Sequence, residues 1–337
     1  MKSLAFWVAV AGVGSFTTFT HLESSPAAIQ IAGRTVVASS WKNVQLVHTL
    51  VGHTGTVDAL AFSPDSQILA SGGGDNDTTI RLWQPETGKQ VGIVQAHQTA
   101  VRAIAITPDG QMLASCSDDT TVNLWSLKTN QFRRAFREHM SNVLSLAVTP
   151  DSQILISGGL DGIRLWNVQQ QRPIGSLVQY DNPIHSVAIS PQGQLVASGD
   201  NNGAIKLWNL NTGRLIRTIL GHSGTVSTMT FTPDGEILVT GSHDRTIKLW
   251  YVKTGELIRT LALASDWVNS VAINPDGQTL ASAGKDGINL WQLSSGELIG
   301  TLSGHSDWVT GIAFSPDGQM LASGGFDKTI KIWRSGL

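Results

Sequence analysis

One tryptophan recurring at near-constant intervals constrains this chain more than any other feature. It stands at Trp83, Trp125, Trp166, Trp208, Trp250, Trp291 and Trp333, with gaps of 42, 41, 42, 42, 41 and 42 residues. A fixed period near 40 is the mark of a repeat architecture, in which each unit needs its neighbours to bury its faces. The 337 residues, which by length alone suggest two domains, are therefore read as one array of seven units. The fullest copy of the shared stretch is Thr240-Gly-Ser-His-Asp-Arg-Thr-Ile-Lys-Leu-Trp250.

Each unit holds an apolar strand, a Pro-Asp-Gly-like turn, a Leu-Ala-Ser-Gly strand, an Asp-containing turn, and a strand ending in the tryptophan. The first turn recurs at Pro64, Pro108, Pro150, Pro191, Pro233, Pro275 and Pro316. Pro pre-sets φ and Gly accepts φ > 0, which makes these hairpin turns. A short loop and one more strand follow each of the first six tryptophans. Length varies only in the Asp turn, which is longer at Gly73–Asn76 and one residue short at Asp161–Ile163 and Asp286–Ile288. No segment sustains a 3.6-residue period, so the repeats carry no helix. The fold class is all-β, built of four-stranded antiparallel units.

Gly-His pairs stand at Gly52-His53, Gly221-His222 and Gly304-His305, with His97 and His139 in the same register. From about residue 45 to 337 these motifs resemble the WD-repeat family, in a bacterial-type secreted form. The resemblance implies a seven-bladed β-propeller. The aspartate of the family's Trp-Asp pair is replaced throughout, by Gln84, Ser126, Asn167, Asn209, Tyr251, Gln292 and Arg334. The last repeat stops after Trp333 without a fourth strand, and a matching strand, Gln45–Leu50, precedes Gly52. By resemblance, that N-terminal strand completes the last blade and closes the ring, removing an unpaired edge.

Ser, His and Asp recurring together invite a hydrolase reading. Repetition argues against it, because an enzyme needs one site and a fold needs the same bond in every blade. The expected sets are His53, Ser71, Asp77 and Trp83; His97, Ser115, Asp119 and Trp125; His139, Ser157, Asp161 and Trp166; His222, Thr240, Asp244 and Trp250; and His305, Ser323, Asp327 and Trp333. The resemblance implies a structural chain of hydrogen bonds from indole to hydroxyl to imidazole to carboxylate. Blade four breaks the set with Tyr180 and Asn202, and blade six with Ala264. His185 is out of register and is placed on the top rim.

No cofactor, metal or catalytic residue is expected. Ser71–Gly74 lacks the Gly-Lys-Ser/Thr ending of a phosphate loop, and Asp75-Asn-Asp77 lacks the 6–8 oxygen ligands calcium takes. No histidine pair has zinc spacing. The inner strands Val57–Phe62, Val143–Val148 and Val268–Ile273 are read as free of mid-strand ionisable groups, a poor lining for chemistry. A formal charge of −2, with no Lys/Arg cluster taken to break the balance, disfavours a nucleic-acid partner. Cys116, the single cysteine, excludes an intrachain disulfide and a lipid-bearing cysteine.

Residues 1–28 have the layout of a secretory signal peptide: Lys2, an apolar run from Leu4 to Gly14, and small residues at Ser25-Pro-Ala-Ala28. Residues 29–44 then form a leader and 45–337 the propeller, placed in the periplasm or otherwise outside the cytoplasm. An uncleaved membrane anchor and a cytoplasmic N-terminal strand are the alternatives. The expected function is a monomeric, non-enzymatic scaffold for a protein partner; its rivals are an enzyme or small-ligand binder using the channel mouth, and a membrane-anchored assembly factor. Three residues after each His register position stand Thr56, Ala100, Asn142, Pro183, Thr225, Trp267 and Trp308. Trp267 and Trp308, with Phe326 and Lys285, form the candidate partner site, because clustered exposed aromatics are typical interface anchors. Lys285 is read as favouring an acidic edge on that partner.

Overall fold

In a computed structural model, residues 28–31, 34–37, 41–179, 182–262 and 266–336 are described. The segment read as a signal peptide, apart from Ala28, lies outside them, as do Tyr180 and Ala264. Seven four-stranded antiparallel sheets follow one another along the chain. Blade one comprises Val57–Phe62, Leu69–Gly73, Thr79–Gln84 and Lys89–Gln95, from the channel outward. Its second strand is buried throughout. Its third alternates, with Ile80 and Leu82 buried and Thr79 and Arg81 partly solvated, as a period-two pleat requires.

The Pro-containing hairpin turns set the strand register. Their fourth residue has positive φ in all seven blades: Gly110, Gly193, Gly235, Gly277 and Gly318 in five, and Ser66 and Ser152 in two. A serine there is strained, but each hydroxyl reaches the adjoining blade. Ser66 Oγ accepts from Asp317 N at 3.3 Å, and Ser152 Oγ accepts from Asp109 N at 3.0 Å.

Seven apolar clusters lie between successive blades, including one between blades seven and one, so the ring is closed. Closure comes from Val44–Val51, which pairs antiparallel with Thr329–Ser335 as the outermost strand of blade seven. Ahead of it Ala28–Ile31 and Arg34–Val37 pair with each other, within the segment read as a leader.

The core reaches further toward the N-terminus than residue 45. Trp41 is 2% exposed, and its ring meets Phe314 edge-on at 4.9 Å. Five other interfaces fill the equivalent place with the residue two after the repeat tryptophan: Leu127, Val168, Leu210, Val252 and Leu293. Blade seven has Ser335 there, and Trp41 takes over.

Candidate interaction surface

Five blades carry the complete hydrogen-bonded set. In blade one the Trp83 indole N–H donates to Ser71 Oγ at 2.9 Å, Ser71 Oγ meets His53 Nε2 at 2.7 Å, and His53 Nδ1 meets Asp77 at 2.8 Å. Because a carboxylate only accepts, Nδ1 carries the proton and Nε2 accepts from the hydroxyl. The same chain joins Trp125, Ser115, His97 and Asp119, and Trp166, Ser157, His139 and Asp161. It recurs in Trp250, Thr240, His222 and Asp244, and in Trp333, Ser323, His305 and Asp327. The five hydroxyl residues are fully buried and already engaged by an indole, so none can meet a substrate as a nucleophile. The carboxylates also fasten backbone: Asp244 accepts from Ser223 N and Thr246 N, each at 3.0 Å.

Blades four and six keep the indole–hydroxyl bond, Trp208 to Ser198 at 3.0 Å and Trp291 to Ser282 at 2.9 Å. In blade four the carboxylate has moved rather than vanished. Asp200, two residues before Asn202, is buried and accepts from Asn202 N, Ala204 N and Asn182 Nδ2 at 2.9–3.0 Å. Register counting from His passes over it.

Burial and hydrogen bonding pull these groups in defined directions. Burial lowers the affinity of His53, His139, His222 and His305 for a second proton, more than their aspartates restore it. For Asp77 and Asp244 burial pushes upward, but donors including Thr79 and Thr246 outweigh it and hold each at about 2. A lowered folded-state value means the unfolded chain binds more protons. Stability from the histidines is therefore complete above their unfolded value of about 6.5 and is lost as pH falls below it. His222→Ala is expected to cost about 1–3 kcal/mol at pH 7, the usual penalty for orphaned buried partners. Wild type should weaken between pH 7 and pH 5, and the gap to the variant should narrow. Urea melts at both values test this; an unchanged midpoint at pH 7 rules out a structural role for the set.

The channel mouth differs from its expected blankness. In six blades the inner strand bulges at its second residue: Asp58, Arg102, Leu144, His185, Ser227 and Thr310. A bulge leaves that residue unpaired and re-aims its side chain. Side-chain donors on the inner strands stitch a blade to the next, Ser186 Oγ to Val226 O at 2.7 Å among them. Ser227 Oγ donates to Val268 O, Asn269 Nδ2 to Val309 O at 3.0 Å, and Thr310 Oγ1 to Val57 O at 2.6 Å. Between blades one and two ionisable groups do this work, correcting the reading of Val57–Phe62 as uncharged. Arg102 bonds Asp58 at 2.8 Å and Asp118 at 2.6 Å, with Asp75 3.8 Å away. Burial raises the Asp58 carboxyl despite Arg102. His185, placed on the rim from sequence, is half-buried at the blade-four bulge, and burial and His243 both lower its proton affinity.

The structure brings the four candidate partner-binding residues together. Trp267 and Trp308 meet edge-to-face at 5.8 Å, and Phe326 stacks beyond Trp308 at 6.5 Å. Trp267 is 47% exposed, Phe326 is 45% exposed, and Trp308 is half-buried. A fifth member, His243, stacks on Trp267 at 4.4 Å. It was legible, since His243, Lys285 and Phe326 all immediately precede the turn aspartate. Lys285 Nζ lies 3.9 Å from Asp266 and 5.8 Å from the centre of the Trp308 ring. Lys285 is exposed and the Asp266 contact is at the limit of ion-pair distance, so the pair is weak. Among the described residues no group of three or more His, Cys, Asp or Glu is placed to hold a metal, and no helix is long and apolar enough to cross a membrane.

Seven four-stranded blades in a closed ring, five of them carrying this tetrad, define a propeller of the WD-repeat class, and the chain belongs to that family. A model described as the IFT122 first beta-propeller matches residues 76–267, and the WD domain, G-beta repeat matches 44–84, 255–291 and 296–334. A WD repeat-containing protein of Synechocystis, sll1491, is 45% identical over 161 residues, covering 47% of this chain and 46% of that protein. Eukaryotic translation initiation factor 3 subunit I of Scheffersomyces stipitis is 39% identical over 83 residues, 24% of this chain and 23% of its own. Pre-mRNA-processing factor 19 of Bos taurus is 33% identical over 87 residues, 26% and 17% respectively. The chain thus spans under half the length of each of these relatives.

Proposed function

We propose that this propeller is a non-enzymatic platform that docks a protein partner on the aromatic sector of blades five to seven. The observation that carries this reading is the continuous stack His243, Trp267, Trp308, Phe326 running across three blades. The repeat does not need these rings, since other blades place Thr56, Ala100, Asn142 or Thr225 in the tryptophan register. Large exposed aromatics at positions the scaffold can do without supply binding energy when a partner covers them. A subunit of a multi-subunit factor among the relatives supports the same reading. The N-terminal apolar run supports a site of action outside the cytoplasm.

The test is a Trp267→Ala/Trp308→Ala double variant, with melting and affinity for a purified partner measured side by side. Binding should fall at least about 30-fold, equivalent to a 2 kcal/mol anchor, while lost ring contacts cost the fold about 1 kcal/mol. A large drop in melting temperature with unchanged affinity overturns the proposal.

A further inference from the structure

We infer that the outer edge of blade two is a second docking surface, which takes an extended acidic segment of a partner protein. The other six blades serve as internal controls. In every outermost strand the sheet register slips at a bulged residue beside the repeat tryptophan, and blade three slips a second time at Leu177. The residue beside the tryptophan is Val47, Val91, Ile174, Ile216, Ile258 or Ile299 in six blades, and Arg133 in blade two. Between residues 128 and 138 four cations, Lys128, Arg133, Arg134 and Arg137, face a single carboxylate, Glu138. All four cations are exposed, and none has an ion pair among the described residues. By contrast Arg102, Arg164 and Arg334 each meet a carboxylate. The near-neutral balance of the whole chain hides this patch.

The surface beside the arginines is also altered. Six blades set a third-strand residue against a partner on the outermost strand: Arg81 against Ile93, Arg164 against Ser176, Lys206 against Thr218, Lys248 against Thr260, Asn289 against Thr301, and Lys331 against Thr49. Blade two sets Asn123 against Ala135. Thr301 Oγ1 donates to Asn289 at 2.7 Å, whereas alanine can donate nothing, and the buried Asn123 Oδ1 has no partner among the described residues. Two short side chains leave a recess of about 270 Å³ beside Phe132 and Arg137. Phe132 is 52% exposed and rests edge-on against Trp125 at 5.2 Å.

Phe132–Phe136 is an edge strand with one side unpaired. Charged residues on an edge can simply block aggregation. Six equivalent edges here do without an arginine at the bulge, so protection does not account for it. An added strand advances about 3.3 Å per residue with alternate side chains on one face. Its carboxylates can then meet successive guanidiniums in charge-assisted pairs, and a small polar neighbour such as threonine can settle beside Phe132 in the recess, where Gln95, Thr121 and Asn123 offer hydrogen-bonding groups.

Fluorescence anisotropy with a labelled ten-residue peptide alternating glutamate and threonine tests this, beside its glutamine counterpart. Arg133→Val/Arg134→Gly/Arg137→Gln gives blade two the residues of blade one, Val91, Gly92 and Gln95. The glutamate peptide should bind wild type, the glutamine peptide should not, and the triple variant should bind at least tenfold more weakly with its melting temperature preserved. Arg214→Ala/Arg217→Ala, a loss of charge on blade four, should leave binding unchanged. Equal weakening by that control shows diffuse charge attraction and overturns the site. Failure to bind the peptide also overturns it, including the case in which wild type sediments with phosphatidylserine vesicles, which assigns the patch to anionic lipid.

Discussion

A chain truncated to begin at Gly52 is expected to lose most of its stability and to aggregate. It lacks the strand Val44–Val51, which among the described residues is the one partner of the outer side of Thr329–Ser335. Leu50 and Trp41, both buried, leave with it. Comparable losses of single side chains cost about 2–5 kcal/mol for leucine and 3–5 for tryptophan, against a total of about 5–15 kcal/mol for a typical domain. The exposed strand edge then offers a template for pairing with other chains. A chain beginning at Trp41 keeps every one of these contacts and should melt like the full chain. Size-exclusion chromatography and thermal scans compare the two; a monomeric Gly52 truncation of undiminished melting temperature would falsify closure by this strand.

Trp41→Ala alone should cost about 3–5 kcal/mol, the range for removing a buried tryptophan. The ring fills a gap between blades six and seven that Ser335 is too small to fill. Its indole nitrogen has no hydrogen-bond partner among the described residues. Trp41→Phe should accordingly cost under about 1.5 kcal/mol, since it keeps most of the apolar volume and removes an unsatisfied donor. Urea midpoints of the two variants decide the matter. Equal losses for both show that the indole nitrogen matters, and negligible loss in Trp41→Ala shows that the gap collapses.

The repeat made most of the fold readable, because each blade must solve the same packing problem with the same residues. Ile80, Leu82 and Trp83 have counterparts at every return of the motif, so strand type, blade number and the hydrogen-bonded set were all visible in one chain. What repetition could not show were local exceptions. Asp200 sits two residues out of register, and Trp41 lies outside the repeat altogether. The inner-strand bulges were invisible because a bulge leaves the apolar pattern around Asp58 or Arg102 intact. Charge averaged over the chain concealed the arginines of blade two. On the top face the grouping of Trp267, Trp308 and Phe326 followed from register, while the approach of Asp266 to Lys285 needed coordinates.

Joining Val44–Val51 to Thr329–Ser335 also imposes an order in time. Thr49 and Lys331, bonded at 3.2 Å, are separated by 282 residues. At roughly 5–20 residues per second, a ribosome takes about 14–56 s to travel from one to the other. Throughout that interval the first-made strand has no sheet to join, and six blades can stack only into an open arc. Loop-closure entropy for so long a span grows only logarithmically, so delay rather than free energy is the chief hazard. The side chain of that strand that folding later buries, Leu50, and its unpaired backbone make it the segment a nascent-chain chaperone has most reason to hold.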